Sequence, residues 1–208
     1  MSFIEPGLFD MIMRLRGSGI SDSSVLRAME LVKRSAFVPD DLVPQSYDER
    51  PLPIPCGQTI PAPLSIAIMC QSLDVKPSHK VLIIGAGSGY TAAVLAKMCR
   101  RVYALERYRT LVEYAEKRLL KLAAKVVVRH GDGRLGWRGQ APFDRILVSA
   151  SVRVIPDSLQ NQLSPDGIIV AVVDGMLVRA TRNGKKLVES PILAMDLPAM
   201  EAGKAKTM

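Results

Sequence analysis

The sequence predicts an α/β fold: a doubly wound, mainly parallel sheet, preceded by a helical and loop extension and finished by an antiparallel hairpin. Three observations carry this. Residues 81–90 (VLIIGAGSGY) begin as a β-branched run suited to a strand buried on both faces, then break into glycines at alternate positions and lead into helical spacing. Residues 102–106 (VYALE) form a second short apolar run that ends in a carboxylate 19 residues after Gly87. From residue 80 onward such runs alternate with amphipathic helical patterns, a βαβαβ(α)βαβ order that demands parallel pairing and right-handed crossovers.

The elements follow in order. Residues 4–16 space Ile4, Leu8, Met11, Ile12 and Leu15 as one helical face, and Gly17-Ser18-Gly19 stops it. Ser21-Asp22-Ser23-Ser24 supplies N-cap candidates for a second helix with Val25, Leu26, Met29 and Val32 on one side. Residues 36–63 carry seven prolines in 28 positions, which predicts an ordered loop or short-strand region; a loop this long in a compact domain usually has a function. Helical period returns at 65–74, and Pro77-Ser78 turns into the 80–84 strand. Thereafter the pattern gives a helix at 91–98, a strand at 102–106, a helix at 110–122, and a strand at 125–129 closed by His130-Gly131-Asp132-Gly133. A strand at 143–149 precedes a helix at 156–163, ended by Pro165-Asp166-Gly167, and a strand at 167–173. Residues 176–182 and 186–189, joined through Asn183-Gly184, read as the hairpin. The expected organisation is an N-terminal helix and proline-rich loop region (1–79) packed on a core (80–200), with a flexible tail at 201–208.

Composition narrows the function classes. At 208 residues the chain can bury a self-sufficient core without metal or disulfide. Cys56, Cys70 and Cys99 are widely separated, odd in number and without a CxxC pair, which predicts reduced thiols and a cytoplasmic protein. The N-terminus lacks a basic region followed by an apolar core, and no apolar run approaches a membrane span. The net charge is +8, and its excess lies in the middle: residues 81–140 hold 12 basic and 4 acidic residues, against 8 and 9 before them and 8 and 7 after. Lys97, Arg100, Arg101, Arg107, Arg109, Lys117, Arg118, Lys121, Lys125 and Arg129 fall largely on two helices and their ends, the pattern of a solvated face. Interleaved aromatics are sparse and no recognition motif is present, so nucleic acid is not the expected partner. A monomer is expected.

The glycine run carries the chemistry. Gly85, Gly87 and Gly89 allow positive φ and close approach of a ligand, and the following helix turns its free N–H groups to the same place. A tight strand-to-helix turn needs glycine with or without a ligand, so Glu106 decides: a carboxylate about 20 residues past the glycines, at the tip of the next strand, is placed to hold a ribose diol. The absence of a GK[ST] ending favours S-adenosyl-L-methionine over ATP.

These residues, with Gly19-Ile20, Ala28-Met29, Phe37-Val38-Pro39, Tyr47, Pro51-Leu52-Pro53-Ile54, Gly57-Gln58-Thr59-Ile60, Gly131-Asp132-Gly133 and Ala141-Pro142-Phe143-Asp144, resemble collinearly the protein-L-isoaspartate O-methyltransferases. The glycine turn is common to class I methyltransferases; the segment ending in GQTI and the GDG-to-APFD stretch are specific to this family. The resemblance implies a Rossmann-like methyltransferase sheet and protein repair, with methyl transfer from S-adenosyl-L-methionine to isoaspartyl peptides or proteins. On matching positions it implies that Gly85, Ala86, Gly87, Ser88 and Gly89 bound the amino-acid part of the cofactor. Glu106, with Arg107 beside it, would hold the ribose, and Asp132 and Gly133 would meet the adenine edge. Gln58 and Thr59 would position the acceptor.

Three positions depart from the family pattern. Pro61 stands where a serine follows the GQTI equivalent, removing a hydroxyl expected to bond the acceptor carboxylate. Ile83 replaces an acidic residue at the start of the glycine motif. Ala171-Val172-Val173-Asp174 occupies the place of a proline-valine-glycine turn. They raise a second expectation, a relative that keeps the fold and cofactor site as a binding or regulatory module. No metal is expected, and His79 and His130 need no catalytic role, because the acceptor carboxylate is already ionised.

Overall fold

The structure, a computed structural model, describes Glu5, residues 7–184 and residues 186–205, apart from the side chain of Asn183. The N-terminal region supplies α1 (Leu8–Gly17) and α2 (Ser23–Leu31), then two 3-10 turns, a small antiparallel hairpin of β1 (Leu52–Ile54) and β2 (Gln58–Ile60), and α3 (Pro63–Leu73). The core follows as β3 (Lys80–Ile84), α4 (Tyr90–Ala96), β4 (Arg101–Glu106), α5 (Arg109–Lys121), β5 (Val126–His130), β6 (Phe143–Val152), α6 (Asp157–Gln160), β7 (Leu163–Val173), β8 (Met176–Asn183) and β9 (Lys186–Ala194).

The strands make one seven-stranded sheet in the order β5-β4-β3-β6-β7-β8-β9. The pairs from β5 through β7 are parallel, and β8 and β9 add antiparallel, so the sheet is Rossmann-like and doubly wound with a terminal hairpin. Its winding reverses between β3 and β6, and a crevice at the carboxyl ends of the strands is the usual consequence. Period-two alternation in β3 divides the core. Val81 and Ile83 join the apolar cluster that includes the N-terminal helices, α3 and α5; Leu82 and Ile84 join a second cluster with β6, β7 and α6. Both faces are buried, which is why these strands read as continuous apolar runs.

Several elements differ from expectation. α1 begins at Leu8; the expected start at Ile4 lies outside the described residues. Asp22 caps α2 as expected, its carboxylate accepting from the N–H groups of Ser24 and Val25. The helix expected at 156–163 is a single turn, because Leu163 pairs with Phe143 and so begins β7. Pro165-Asp166-Gly167, expected to separate helix from strand, lies inside β7, in an irregularity that lets Leu163 and Ile168 pair with Phe143 and Arg145. Asp174 and Gly175, with φ of 46° and 77°, form the two-residue turn between β7 and β8.

The largest correction is at the end of the chain. The segment expected as a flexible tail is fastened to the body as far as Ala205; residues 206–208 lie outside the described residues. The Ser151 N–H donates to Pro198 O and the Met200 N–H to Ser151 O, each at 2.8 Å. Further on, the Ala205 N–H donates to Arg107 O at 2.8 Å, and the Arg109 N–H donates back to Ala205 O at 3.2 Å. Residues 197–205 thus form a strap from the end of β6 to the end of β4, across the carboxyl ends of the sheet. Four of its backbone groups, at Pro198, Met200 and Ala205, bond to Ser151, Arg107 and Arg109, which fastens it at both ends.

Candidate functional site

A cleft opens at this end of the sheet, between the glycine turn, the end of β4, the β1–β2 hairpin and the strap. Its floor is the glycine turn. The N–H groups of Gly85 and Ala86 both donate to Leu105 O, at 2.9 and 3.1 Å, which ties the turn to the end of β4. Gly85 and Gly87 take φ of 87° and 54°, a region that side chains with a Cβ rarely adopt.

Glu106 organises the cleft. Its side chain is buried, Oε2 accepts from the Gly87 N–H at 2.9 Å and Oε1 from the Tyr108 N–H at 3.0 Å. A carboxylate has about four acceptor positions, so each oxygen retains a lone pair for a hydroxyl donor in the cleft. Gly133 lines the cleft too, and a Cβ there would stand 2.3 Å from Ile84 Cγ2, so its glycine lets this turn pack against the end of β3. The glycine turn and the Glu106 carboxylate fit a cofactor with a diol, and suit S-adenosyl-L-methionine.

The opposite wall is the β1–β2 hairpin. Gln58, Thr59, Ile60 and Pro61 line the cleft together with Gly85, Ala86, Gly87, Ser88, Glu106, Arg107 and Gly133, so one space holds residues from both ends of the resemblance. Ile54 Cδ1 lies 3.5 Å from the position a Cβ on Gly87 would take, which seats the hairpin over the turn. Arg107 reaches across to the strap, donating to the Glu201 carboxylate and to Ala202 O at 3.3 Å.

Three expected positions lie elsewhere. Gly89 caps α4 and is not part of the wall; a Cβ on it would lie 3.2 Å from Ala115 Cβ and 3.3 Å from Leu119, so its glycine serves packing against α5. The Asp132 carboxylate, expected at the adenine edge, is also outside the wall. It accepts from the Arg134 N–H at 2.9 Å and from the Gly203 N–H of the strap at 2.8 Å. Burial raises its pKa, but these two N–H groups and the Arg134 guanidinium outweigh that and hold it below the ordinary carboxylate range. Ile83, at the expected acidic position, is fully buried in the sheet, and it is Ile84 that reaches the cleft.

Sequence reasoning missed Tyr108, Ser149, Ala150 and residues 197–201 in the wall. Tyr108 directly follows Glu106-Arg107 and could have been found from that neighbourhood; the strap residues carry no periodicity or motif. His130 stands near the cleft as topology suggested, but its Nε2 faces Arg107 O at 2.8 Å and Ala205 O at 3.0 Å. Two carbonyls can only accept, so Nε2 carries the proton and fastens the strap. Among the described residues no cluster of three or more His, Cys, Asp or Glu could hold a metal ion, and no helix is long and apolar enough to cross a membrane.

Comparison with known proteins agrees with this geometry. Residues 9–194 match the family model described as protein-L-isoaspartate(D-aspartate) O-methyltransferase. A protein-L-isoaspartate O-methyltransferase of Maricaulis maris is 44% identical over 213 residues, covering 100% of both chains. One from Rhodospirillum rubrum is 51% identical over 165 residues, covering 78% of this chain and 75% of its own. Among solved structures, a candidate protein-L-isoaspartate O-methyltransferase of Plasmodium falciparum in complex with S-adenosyl-L-homocysteine superposes with a TM-score of 0.83 at 22% identity. It covers 95% of this chain and 99% of its own, and it supports the fold.

Proposed function

Because the chain belongs to the protein-L-isoaspartate(D-aspartate) O-methyltransferase family, we propose that it methylates the free α-carboxylate of L-isoaspartyl residues in damaged proteins, using S-adenosyl-L-methionine. The observation that carries this reading is the buried Glu106 carboxylate, bridging the glycine turn and Tyr108 in a cleft whose far wall is Gln58–Ile60 and Pro61. In this reading Gly85, Ala86, Gly87 and Ser88 cradle the amino-acid part of the cofactor, and the free lone pairs of Glu106 take the ribose hydroxyls. Arg107 closes this end through the strap. Gly133 flanks the base, with Asp132 acting behind it on Gly203.

The bound cofactor supplies an electrophilic methyl group on a sulfonium. The chain's own task is alignment, since the isoaspartyl carboxylate is ionised at neutral pH and needs no general base. Holding donor and acceptor in reactive geometry is worth up to about 7–11 kcal/mol. Gln58 and Thr59 orient the acceptor, while the hairpin and strap exclude water from both sides. Pro61 offers no hydroxyl there, so the side chain of Thr59 and backbone groups carry that contact. No observation favours a non-catalytic binding module: the Glu106 carboxylate and the glycine turn stand together in the cleft, and relatives of 44% and 51% identity bear the enzyme's name. We place the activity in the cytoplasm, in keeping with the unpaired state of Cys56, Cys70 and Cys99, and expect a monomer.

Calorimetric titration of S-adenosyl-L-homocysteine, paired with methyl transfer to a synthetic isoaspartyl peptide, tests the reading. Saturable binding and accumulation of a peptide methyl ester are expected. Binding that stays undetectable at millimolar ligand would overturn the cofactor site, and binding without transfer would overturn the acceptor.

A further inference from the structure

Arg34 is the largest charged group that the fold buries completely, and nothing in the cofactor chemistry uses it. Its guanidinium donates to Ser46 O, to Pro61 O at 2.9 Å, and at 3.4 Å to Ile60 O and Arg50 O. All four acceptors are backbone carbonyls of the proline-rich segment, two from its middle and two from its far end. The planar fork of arginine suits this, since one lysine ammonium cannot serve carbonyls spread so widely. The neighbouring residues are fixed independently: the Ser35 and Tyr47 hydroxyls both donate to the Glu5 carboxylate, at 2.6 and 2.7 Å, and Lys33 pairs with the same group at 3.2 Å.

Two features point to more than loop packing. Pro61 and Ile60 line the cleft, so Arg34 stands one peptide behind the wall where the acceptor is read to bind. It makes no direct ion pair among the described residues, Glu49 and Asp48 acting on its charge only from beyond contact distance, and its Nε has no partner. A buried cation with no carboxylate in contact is costly, and an anion brought close to it is favoured. The bond to Pro61 also explains how proline fits there. Proline has lost its N–H but keeps its carbonyl, and the carbonyl is the group that Arg34 holds.

We propose that Arg34 is a positioning residue for the acceptor: it fixes the Ile60 and Pro61 backbone at the cleft wall and sets a positive charge, with no carboxylate of the chain in contact, behind the place where a carboxylate docks. This rests on the isoaspartyl reading above. The test uses the full chain with Arg34→Lys, which keeps the charge and loses the fork, and Arg34→Met, which loses both. The KM for an isoaspartyl peptide should rise about tenfold in the first and further in the second, on the scale of one and then several charge-assisted contacts. Affinity and stoichiometry for S-adenosyl-L-homocysteine should stay within about twofold, and amide exchange at Gln58, Thr59, Ile60 and Ala62 should quicken. A purely structural role would lower cofactor stoichiometry and kcat together and leave the acceptor KM unmoved.

An acceptor KM within about twofold of the parent in Arg34→Lys overturns the proposal, and so does loop exchange that stays at the parental rate. If Arg34→Met does not fold, Arg34→Lys alone decides. If the unsubstituted protein methylates no isoaspartyl peptide, the acceptor reading fails instead, and loop exchange decides whether Arg34 holds the wall.

Discussion

One carboxylate links the fold to the chemistry. Glu106 spends one lone pair of each oxygen on a backbone N–H, at Gly87 and Tyr108, and so holds the turn open before any ligand arrives. Glu106→Gln retains one acceptor oxygen and turns an NH₂ toward the other donor. Cofactor affinity should fall by about 1.5–3 kcal/mol, the range for a hydrogen bond to a charged group, as read by calorimetric titration. Pro61 calls for the opposite kind of substitution. Pro61→Ser restores a hydroxyl at the wall and keeps the carbonyl that Arg34 holds. Its rate on an isoaspartyl peptide should rise by about tenfold or more, with cofactor affinity unchanged. An unchanged rate would show that Thr59 and the loop backbone already satisfy the acceptor.

At the scale of elements, the strap and the hairpin close the cleft, and the strap has its own titratable fastening. The Asp132 pKa is depressed in the folded protein, so the stability it contributes is present above its unfolded value, near about 3.9, and is lost as pH falls through the folded value. Asp132→Asn should therefore cost about 1 kcal/mol at neutral pH, and the difference from the parent should vanish under acid, as followed by denaturant unfolding across that range. A difference that persists below both values would mean that the fastening is not electrostatic.

The elements legible in the sequence were those whose composition states their burial. β3 is a β-branched run and β4 a short apolar one, both largely buried, and α2 has its cap at Asp22. The short helix before β7 was overread because Leu163 fits a helical face as well as it fits a strand opposite Phe143, and only the pairing decides. The strap was illegible for a related reason. Its order comes from backbone bonds to Ser151, Arg107 and Arg109 and from the carboxylate of Asp132, none of which leaves a periodic mark on residues 197–205. Asp132 and Gly89 read as cofactor residues from the sequence, where glycine and aspartate in a turn look alike whether they meet a ligand, a helix or another segment of chain; in the structure Asp132 holds Gly203 and Gly89 packs against α5.

For the whole molecule, the charge and the site are separable. The basic middle of the chain lies largely on exposed side chains, with Lys117 and Lys121 on the outer side of α5 and Arg118 folded over the Tyr114 ring. Arg107 is the exception, turned inward to Glu201. Reversing Lys117, Arg118 and Lys121 to glutamate should leave cofactor affinity within about twofold at physiological salt, where exposed charges beyond about 8 Å are screened. A tenfold loss by calorimetry would put this face in the site.

The central claim is that this cleft aligns a cofactor methyl group with an isoaspartyl carboxylate. Initial rates on two peptides of identical sequence, one with isoaspartate and one with aspartate at the same position, test it most directly. The isomers differ only in where the carboxylate stands relative to the main chain, and a misplacement of about 1 Å can cost about 100-fold when catalysis is alignment. The isoaspartyl peptide should be methylated at least about 100-fold faster. Equal rates on the two peptides, or transfer to neither while S-adenosyl-L-homocysteine still binds, would contradict the account.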